Sequence, residues 1–486
     1  MATCTVICRD TKRPFTSSNG GLTFVNGQLM GPSVCSEMSI GSNNPKPLPC
    51  YINQLPTEIL IAIFSSCLDE YPFHETVVNV SSVLWQLGRV CGFWRNIVSN
   101  CMSSSWAYIC VPDPRAKLVP ILQVCLQRCQ KHQLSFLLGF QRKVPLEDFR
   151  ACLDVFLAAC ERWQEASLTI PTSDIEYLET RVRGRLSSLE TLKFIVIEPG
   201  YFSRQVLPTI PIRAFETAPR LERVDTLLPL DKIVLPLSQL TTLSTHTQVK
   251  DTACLPILAP NLKHLVANDL LMTELTPSLI DRDKVVYPTL TTLELTSASN
   301  ACLGKLSFPL LEEFIILSAL PSALEGLTIA TFPSLKRLRV GLVLSLRSNV
   351  VLPLFAITPS ISSLTIDISC YRKDYVRPIE QLFAGLTASE RTEPLLPNLT
   401  SLEFPQFGFS DDPDIQECLV SALIKLVRSR WSSGHRSTRL MRLVLTKYSP
   451  QSIFDTLLGE FSRELMDLVD EGMEVVVGGR RISNTR

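Results

Sequence analysis

Hydrophobic positions change period twice along the chain. Residues 1–50 hold no sustained period. Ser17-Ser18-Asn19-Gly20-Gly21 and Gly41-Ser42-Asn43-Asn44-Pro45 are turn and coil signals, so this stretch reads as a disordered arm. Within it Thr23–Met30 could close a weak hairpin around Asn26-Gly27. From Leu55 the period becomes helical. Pro56 suits a first-turn position, and Glu58 complements the positive end of the helix dipole. Ile59, Leu60, Ile63, Phe64, Cys67 and Leu68 then form one apolar stripe. After a loop, Asp69–Ser82, a second stripe runs through Val83, Leu87, Val90, Cys91, Trp94, Ile97 and Val98, and predicts one helix throughout. Residues 51–105 thus read as a small helical module, too small to be very stable alone.

Beyond Trp106 strands and helices alternate. Ala107–Val111, Leu134–Phe140 and Ala166–Ile170 read as strands, Ala116–Gln130 and Leu146–Cys160 as helices. A phrase, L-x-x-L often completed by -x-L, then recurs from Leu189 to Leu440, with copies 19 to 41 residues apart. Pro288-Thr289-Leu290-x-x-Leu293-x-Leu295 is the cleanest copy. Periods near 20–29 residues with this phrase are the mark of leucine-rich repeats. The predicted fold is α/β: a helical module followed, over 106–486, by an irregular repeat solenoid with a parallel concave sheet. An ordinary α/β domain with leucine-rich strands is the competing reading of the same pattern.

In that register Leu293, Leu295, Leu338 and Leu402 point into the core, and their strand neighbours point out. The outward set, a candidate substrate face, includes Thr292, Glu294, Glu313, Arg337, Arg339, Thr365, Asp367, Ser401, Glu403 and Arg442. Arg337 and Arg339, about 6.6 Å apart on one strand face, would suit an acidic or phosphorylated segment.

Charge and composition narrow the function. Lys plus Arg and Asp plus Glu both number 47, so no net field draws nucleic acid or an anionic membrane. No secretory h-region stands in the first 30 residues, and the most apolar stretch, Phe314–Phe332, is broken by Pro321 and Glu325. The sixteen cysteines, many in apolar stripes, then read as reduced core thiols of a cytoplasmic or nuclear protein. No catalytic motif of the nucleotide-binding, hydrolase or metalloprotease kinds is present, so no catalytic residue, cofactor or metal is assigned. Cys125-x3-Cys129-x2-His132 has too few ligands for zinc, and Glu312-Glu313 would point to opposite strand faces.

Leu55-Pro56-Thr57-Glu58-Ile59-Leu60, Ile63-Phe64 and Leu87-x-x-Val90-Cys91-x-x-Trp94-Arg95 resemble an F-box. With the repeats behind it, the chain is similar to the F-box and leucine-rich-repeat proteins of mushroom-forming fungi. The two halves of the motif flank a longer loop than the compact family form has. The resemblance implies the substrate-recruiting subunit of a cullin–RING ubiquitin ligase, holding the Skp adaptor and the cullin core through the F-box and a protein substrate through the repeats. It places adaptor contacts, or their immediate support, at Leu55, Pro56, Ile59, Leu60, Ile63, Phe64, Leu87, Val90, Cys91 and Trp94. A repeat scaffold without a ligase role, or an enzyme with an unrecognised site, are the alternatives.

Overall fold

The structure is a computed structural model that describes residues 23–25, 28–30, 51–69, 77–141, 144–198, 208–271, 285–296, 303–317, 327–328, 331–341, 348–367, 376–388, 394–407, 413–432, 438–447 and 463–482. The chain divides into two compact units, Met1–Pro56 and Thr57–Arg486. In the first, Thr23–Val25 and Gln28–Met30 pair antiparallel, the expected hairpin. The rest of the expected disordered arm lies outside the described residues.

The second unit is built on one sheet of fifteen strands in chain order. They are β1 (Tyr108–Val111), β2 (Leu134–Gly139), β3 (Trp163–Pro171), β4 (Thr191–Ile197), β5 (Arg223–Pro229), β6 (Thr242–Gln248), β7 (His264–Leu271), β8 (Thr292–Leu295), β9 (Glu313–Ile316), β10 (Arg337–Gly341), β11 (Ser363–Asp367), β12 (Ser401–Phe407), β13 (Arg442–Lys447), β14 (Glu474–Val477) and β15 (Arg480–Arg481). Strands β1 to β14 pair in parallel, and β15 turns back antiparallel on β14. This is the α/β parallel-sheet solenoid expected from the repeats.

Period-2 alternation decides which face is buried. One inward row runs in register from Ile109 in β1 through Leu192, Leu293, Phe314 and Leu402 to Val475 in β14, and all six are 2% exposed or less. A second inward row, from Val111 to Val477, carries two hydroxyls, buried Thr226 and Thr245. Both are satisfied locally: Thr245 Oγ1 donates to Leu228 O at 2.7 Å, and Thr226 Oγ1 accepts from Leu228 N at 3.2 Å. The register expected for Leu293, Leu295, Leu338 and Leu402 holds, since all four are buried.

The proline ahead of many copies has a structural reason. In Phe332-Pro333-Ser334-Leu335 the Leu335 N–H bonds Phe332 O at 3.4 Å, closing a four-residue turn with proline second. Proline presets φ for that position. The same bond recurs at Leu221, Leu262, Leu311, Ile361 and Leu399. The residue before the leucine then reaches back one repeat: Asn261 Nδ2 to Ser238 O at 2.8 Å, Ser334 Oγ to Pro309 O at 2.7 Å, Asn398 Nδ2 to Pro359 O at 3.1 Å. The asparagine ladder of regular repeats is mostly missing from the sequence. Short polar side chains at this turn instead hydrogen-bond backbone carbonyls of the preceding repeat.

Helices α1 (Thr57–Asp69), α2 (Val83–Val90) and α3 (Gly92–Asn96) form the helical module. The single second helix expected from Val83 to Val98 is broken. Cys91 is extended, at φ −158° and ψ 172°, and its Sγ accepts from Trp94 N at 3.5 Å as the cap of α3. The module shares a core with the first repeats. Trp106 Nε1 donates to Val98 O at 2.8 Å, Trp85 Nε1 to Val77 O at 2.6 Å, and the Arg128 guanidinium lies 4.5 Å from both indole centroids. Arg128 belongs to α4 (Val119–Arg128), so packing is continuous from module to repeat. Further helices, α5 (Leu146–Leu157), α6 (Ile175–Val182), α7 (Val249–Leu258), α8 (Ser348–Ala356), α9 (Val376–Leu386) and α10 (Pro413–Ser432), cover the inward face.

Candidate functional site

Two surfaces are candidates for binding. The first is the outer side of the helical module. Leu60 and Phe64 are 0% and 1% exposed, and the Phe64 ring meets Trp94 at a centroid distance of 4.7 Å. That contact holds α1 beside α3. Ile59 and Ile63 face outward at 48% and 39% exposure, and Val90 is 60% exposed. Leu87, Cys91 and Trp94 are half-buried. Leu55, half-buried, and Pro56, exposed, belong to the first unit.

The expected adaptor set therefore splits by role. Ile59, Ile63 and Val90 can touch a partner, while Leu60 and Phe64 can only support those that do. Phe93, 40% exposed, joins the outward group and went unmarked in the sequence. Its signal was available: it is a large apolar residue standing off the helical stripe, which a soluble surface gives no reason to keep.

The second surface is the open face of the sheet, opposite the helices. Thr292, Glu313, Arg337, Ser363, Ser401, Arg442 and Glu474 lie in one row of register partners. Glu294, Ile315, Arg339, Thr365, Glu403 and Val444 lie in the next. The structure thus brings the expected face residues together as two adjacent ladders. Asp367 extends them at the end of β11, in register with Gly341.

The arginines of these ladders are engaged. Arg337 pairs with Glu313 at 3.4 Å, Arg339 with Asp367 at 2.9 Å, and Arg442 with Glu403 at 2.9 Å and Glu474 at 3.5 Å. Arg337 and Arg339, expected to suit an acidic segment, each already have a carboxylate partner within this chain, with their side chains still 47% and 43% exposed. Glu294 differs from its neighbours: burial pushes its carboxyl above the usual carboxylate range, and Arg339 opposes that shift. Glu312 pairs with Lys336, just ahead of β10, at 2.9 Å, and Glu313 with Arg337 of β10. The Lys336 hydrogen bond holds the Glu312 carboxyl below its ordinary value.

The cysteines carry packing. Cys125 Sγ donates to Val77 O and Cys129 Sγ to Leu126 O, while His132 is exposed and bonds Ser103 Oγ at 2.8 Å. Burial pushes Cys125 up to about 12 and Cys152 up to about 11, so neither is a thiolate nucleophile at neutral pH. The described cysteines are free thiols. Among the described residues no helix is long and apolar enough to cross a membrane.

No family model and no characterised protein matches the sequence. Among solved structures the chain is similar to a chain of the crystallised complex of Rad7 and Elc1 from yeast. The two are 12% identical, with 85% of this chain and 97% of that chain covered, at a TM-score of 0.28. The sheet order and registers, not that likeness, carry the architecture described above.

Proposed function

We propose that the chain is a substrate-recruiting subunit of a cullin–RING ubiquitin ligase, with the Skp-type adaptor on the helical module and a protein substrate on the open sheet face. The observation that carries this reading is the outward apolar group, Ile59, Ile63, Val90 and Phe93, beside Leu60, Phe64 and Leu84, which the same module buries. Apolar side chains kept exposed on neighbouring elements favour a protein partner. The F-box resemblance names the partner. The chain performs no chemistry in this reading; it raises the concentration of a target beside the ligase. Free thiols throughout the described core suit the reducing cytoplasm or nucleus.

Co-purification of the full chain with a Skp-type adaptor tests the proposal. Capture by the wild type and its loss in Ile59→Asp with Val90→Asp are expected. Absence of capture by the wild-type chain, with the open face still binding protein, would leave a repeat scaffold without a ligase role.

A further inference from the structure

The two ends of the long sheet are finished differently. At the far end β15 folds back on β14 through Gly478 and Gly479, both at positive φ, and Ile482 N–H bonds Val475 O at 2.8 Å. That edge is two residues long and carries Arg480 and Arg481. Short, charged edges keep a sheet from recruiting another strand. At the near end the edge strand is β1, which pairs with β2 alone. Ser135 N–H bonds Ala107 O at 3.0 Å, and the Tyr108–Ser135 register then turns the N–H groups of Ile109 and Val111 toward β2. Successive residues of a strand present their N–H and C=O to opposite edges, so those of Tyr108 and Cys110 point away from the sheet. Neither backbone makes a hydrogen bond to any described residue. Nothing in β1, Tyr108-Ile109-Cys110-Val111, blunts the edge: it has no charge, no proline and no bulge. On the open face Tyr108 is 52% exposed, and half-buried Cys110 and Leu137 lie in the next row. This corner is apolar, whereas β3 to β5 carry the ion pairs Glu165–Arg223 and Lys193–Asp225.

We propose that β1 accepts an extended segment of a partner protein as an added strand, with apolar residues of that segment lying on the open face beside Tyr108 and Cys110. The inference rests on the reading that this sheet holds a protein, and it adds the form in which the protein is held. Donors and acceptors alternating along an edge are matched by another main chain; a nucleic acid or a lipid offers no such ladder. Main-chain bonds then supply affinity, and alternate side chains supply selectivity. An aromatic at the edge pairs best with β-branched or aromatic neighbours across the strands, which fits Tyr108 to an apolar, β-branched segment. A proline-rich segment lacks the donors and is excluded. The added strand continues the open face at its first repeat, so the segment joins the surface read above as the protein-binding one.

The test uses the full chain and a short dye-labelled peptide alternating valine with threonine between terminal lysines, read by fluorescence anisotropy. The peptide should bind. The same peptide N-methylated at every valine and threonine has no main-chain donors there and should not. Cys110→Pro removes an outward N–H and leaves the bonds to β2, a substitution that edge strands tolerate. It should weaken binding about tenfold or more at an unchanged Tm. If that variant loses Tm, hydrogen exchange on the wild type decides: the peptide should slow the amides of Tyr108 and Cys110 and leave those of Arg480 and Arg481 as they were. The proposal is overturned if neither peptide binds, if both bind alike, if a stable Cys110→Pro binds as the wild type does, or if protection falls elsewhere. It is overturned also if sedimentation finds the free chain a dimer that Cys110→Pro dissolves, since the edge then holds a second copy. The adaptor assay reads the helical module and not this edge. Loss of adaptor capture with Cys110-dependent peptide binding would remove the ligase reading and leave this one standing.

Discussion

The Phe64 and Trp94 rings meet at 4.7 Å with an interplanar angle of 54°, and this contact commits one side of α1 to the core. Ile59 and Ile63 are left on the other. Substitutions on the two sides should therefore separate. Ile59→Asp with Val90→Asp should abolish adaptor capture, since an interface anchor of this kind contributes about 2 kcal/mol or more, roughly thirtyfold in affinity. Its Tm should stay at the wild-type value. Leu60→Ala with Trp94→Ala should instead lower Tm, because Leu60 is fully buried and Trp94 supports Phe64. Capture lost only in the second pair would show that the outward residues are not the contact.

The inward rows give a stability prediction. Leu338 and Leu402 are 1% and 0% exposed and are stacked against register partners on both sides. Leu→Ala at either should cost about 2–5 kcal/mol, read by chemical denaturation. A cost below 1 kcal/mol would be inconsistent with a closed core at that row.

Gly341 ends β10 where a side chain has no room. A Cβ there would lie 2.5 Å from Leu317 O and 2.9 Å from Leu317 Cα, both backbone atoms that cannot rotate away. Gly341→Ala should push the ends of β9 and β10 apart and destabilise the protein by about 1–3 kcal/mol. Gly88→Ala, with open space around its Cβ and a helical position in α2, is the matched control and should be neutral or stabilising.

Arg430 of α10 is fully buried and binds backbone. Its Nε donates to Leu386 O at 2.7 Å, at the end of α9, and Nη1 to Leu396 O at 3.1 Å, with Nη2 on Leu395 O. Burial lowers it to about 10, so it remains charged at neutral pH. Only a planar fork reaches three carbonyls in this way. Arg430→Lys, although it keeps the charge, should strand carbonyls and lower Tm by several degrees. A wild-type Tm would show that the fork geometry is not needed.

Glu294 gives a pH signature. Its carboxyl, facing Arg339 and Glu313, is raised by burial above the ordinary 4.5. A carboxyl raised on folding holds its proton longer in the native state, so it lowers stability as pH climbs from the unfolded value through the folded one. Glu294→Gln should therefore be more stable than wild type at pH 7, and the difference should vanish as pH falls below about 4.5. A difference that is constant across this window would show that Glu294 is not desolvated.

Much of the fold was legible in the sequence because its signals are local. The hairpin at 23–30, the early strands and helices, and the buried leucines follow from alternation and turn chemistry within a few residues. The break at Cys91 was not legible, because the apolar stripe continues across it. An extended residue capping a new helix leaves the hydrophobic period almost unchanged.

The sequence by itself determined the inward rows. Burial is non-directional and roughly proportional to apolar area, so once L-x-x-L-x-L repeats, only one face of each strand can go inside. Tertiary structure decided what the polar and exposed residues do. Arg339 finds Asp367 across 28 positions of chain, and Arg430 finds Leu386 across 44. Glu294 has apolar Ile315 as its register partner on β9. Which charge is paired, which is left over, and whether Ile59 or Leu60 meets solvent depend on neighbours brought in from other repeats. Electrostatic and hydrogen-bonded contacts act over a few ångströms in space, and a one-dimensional pattern does not encode that distance.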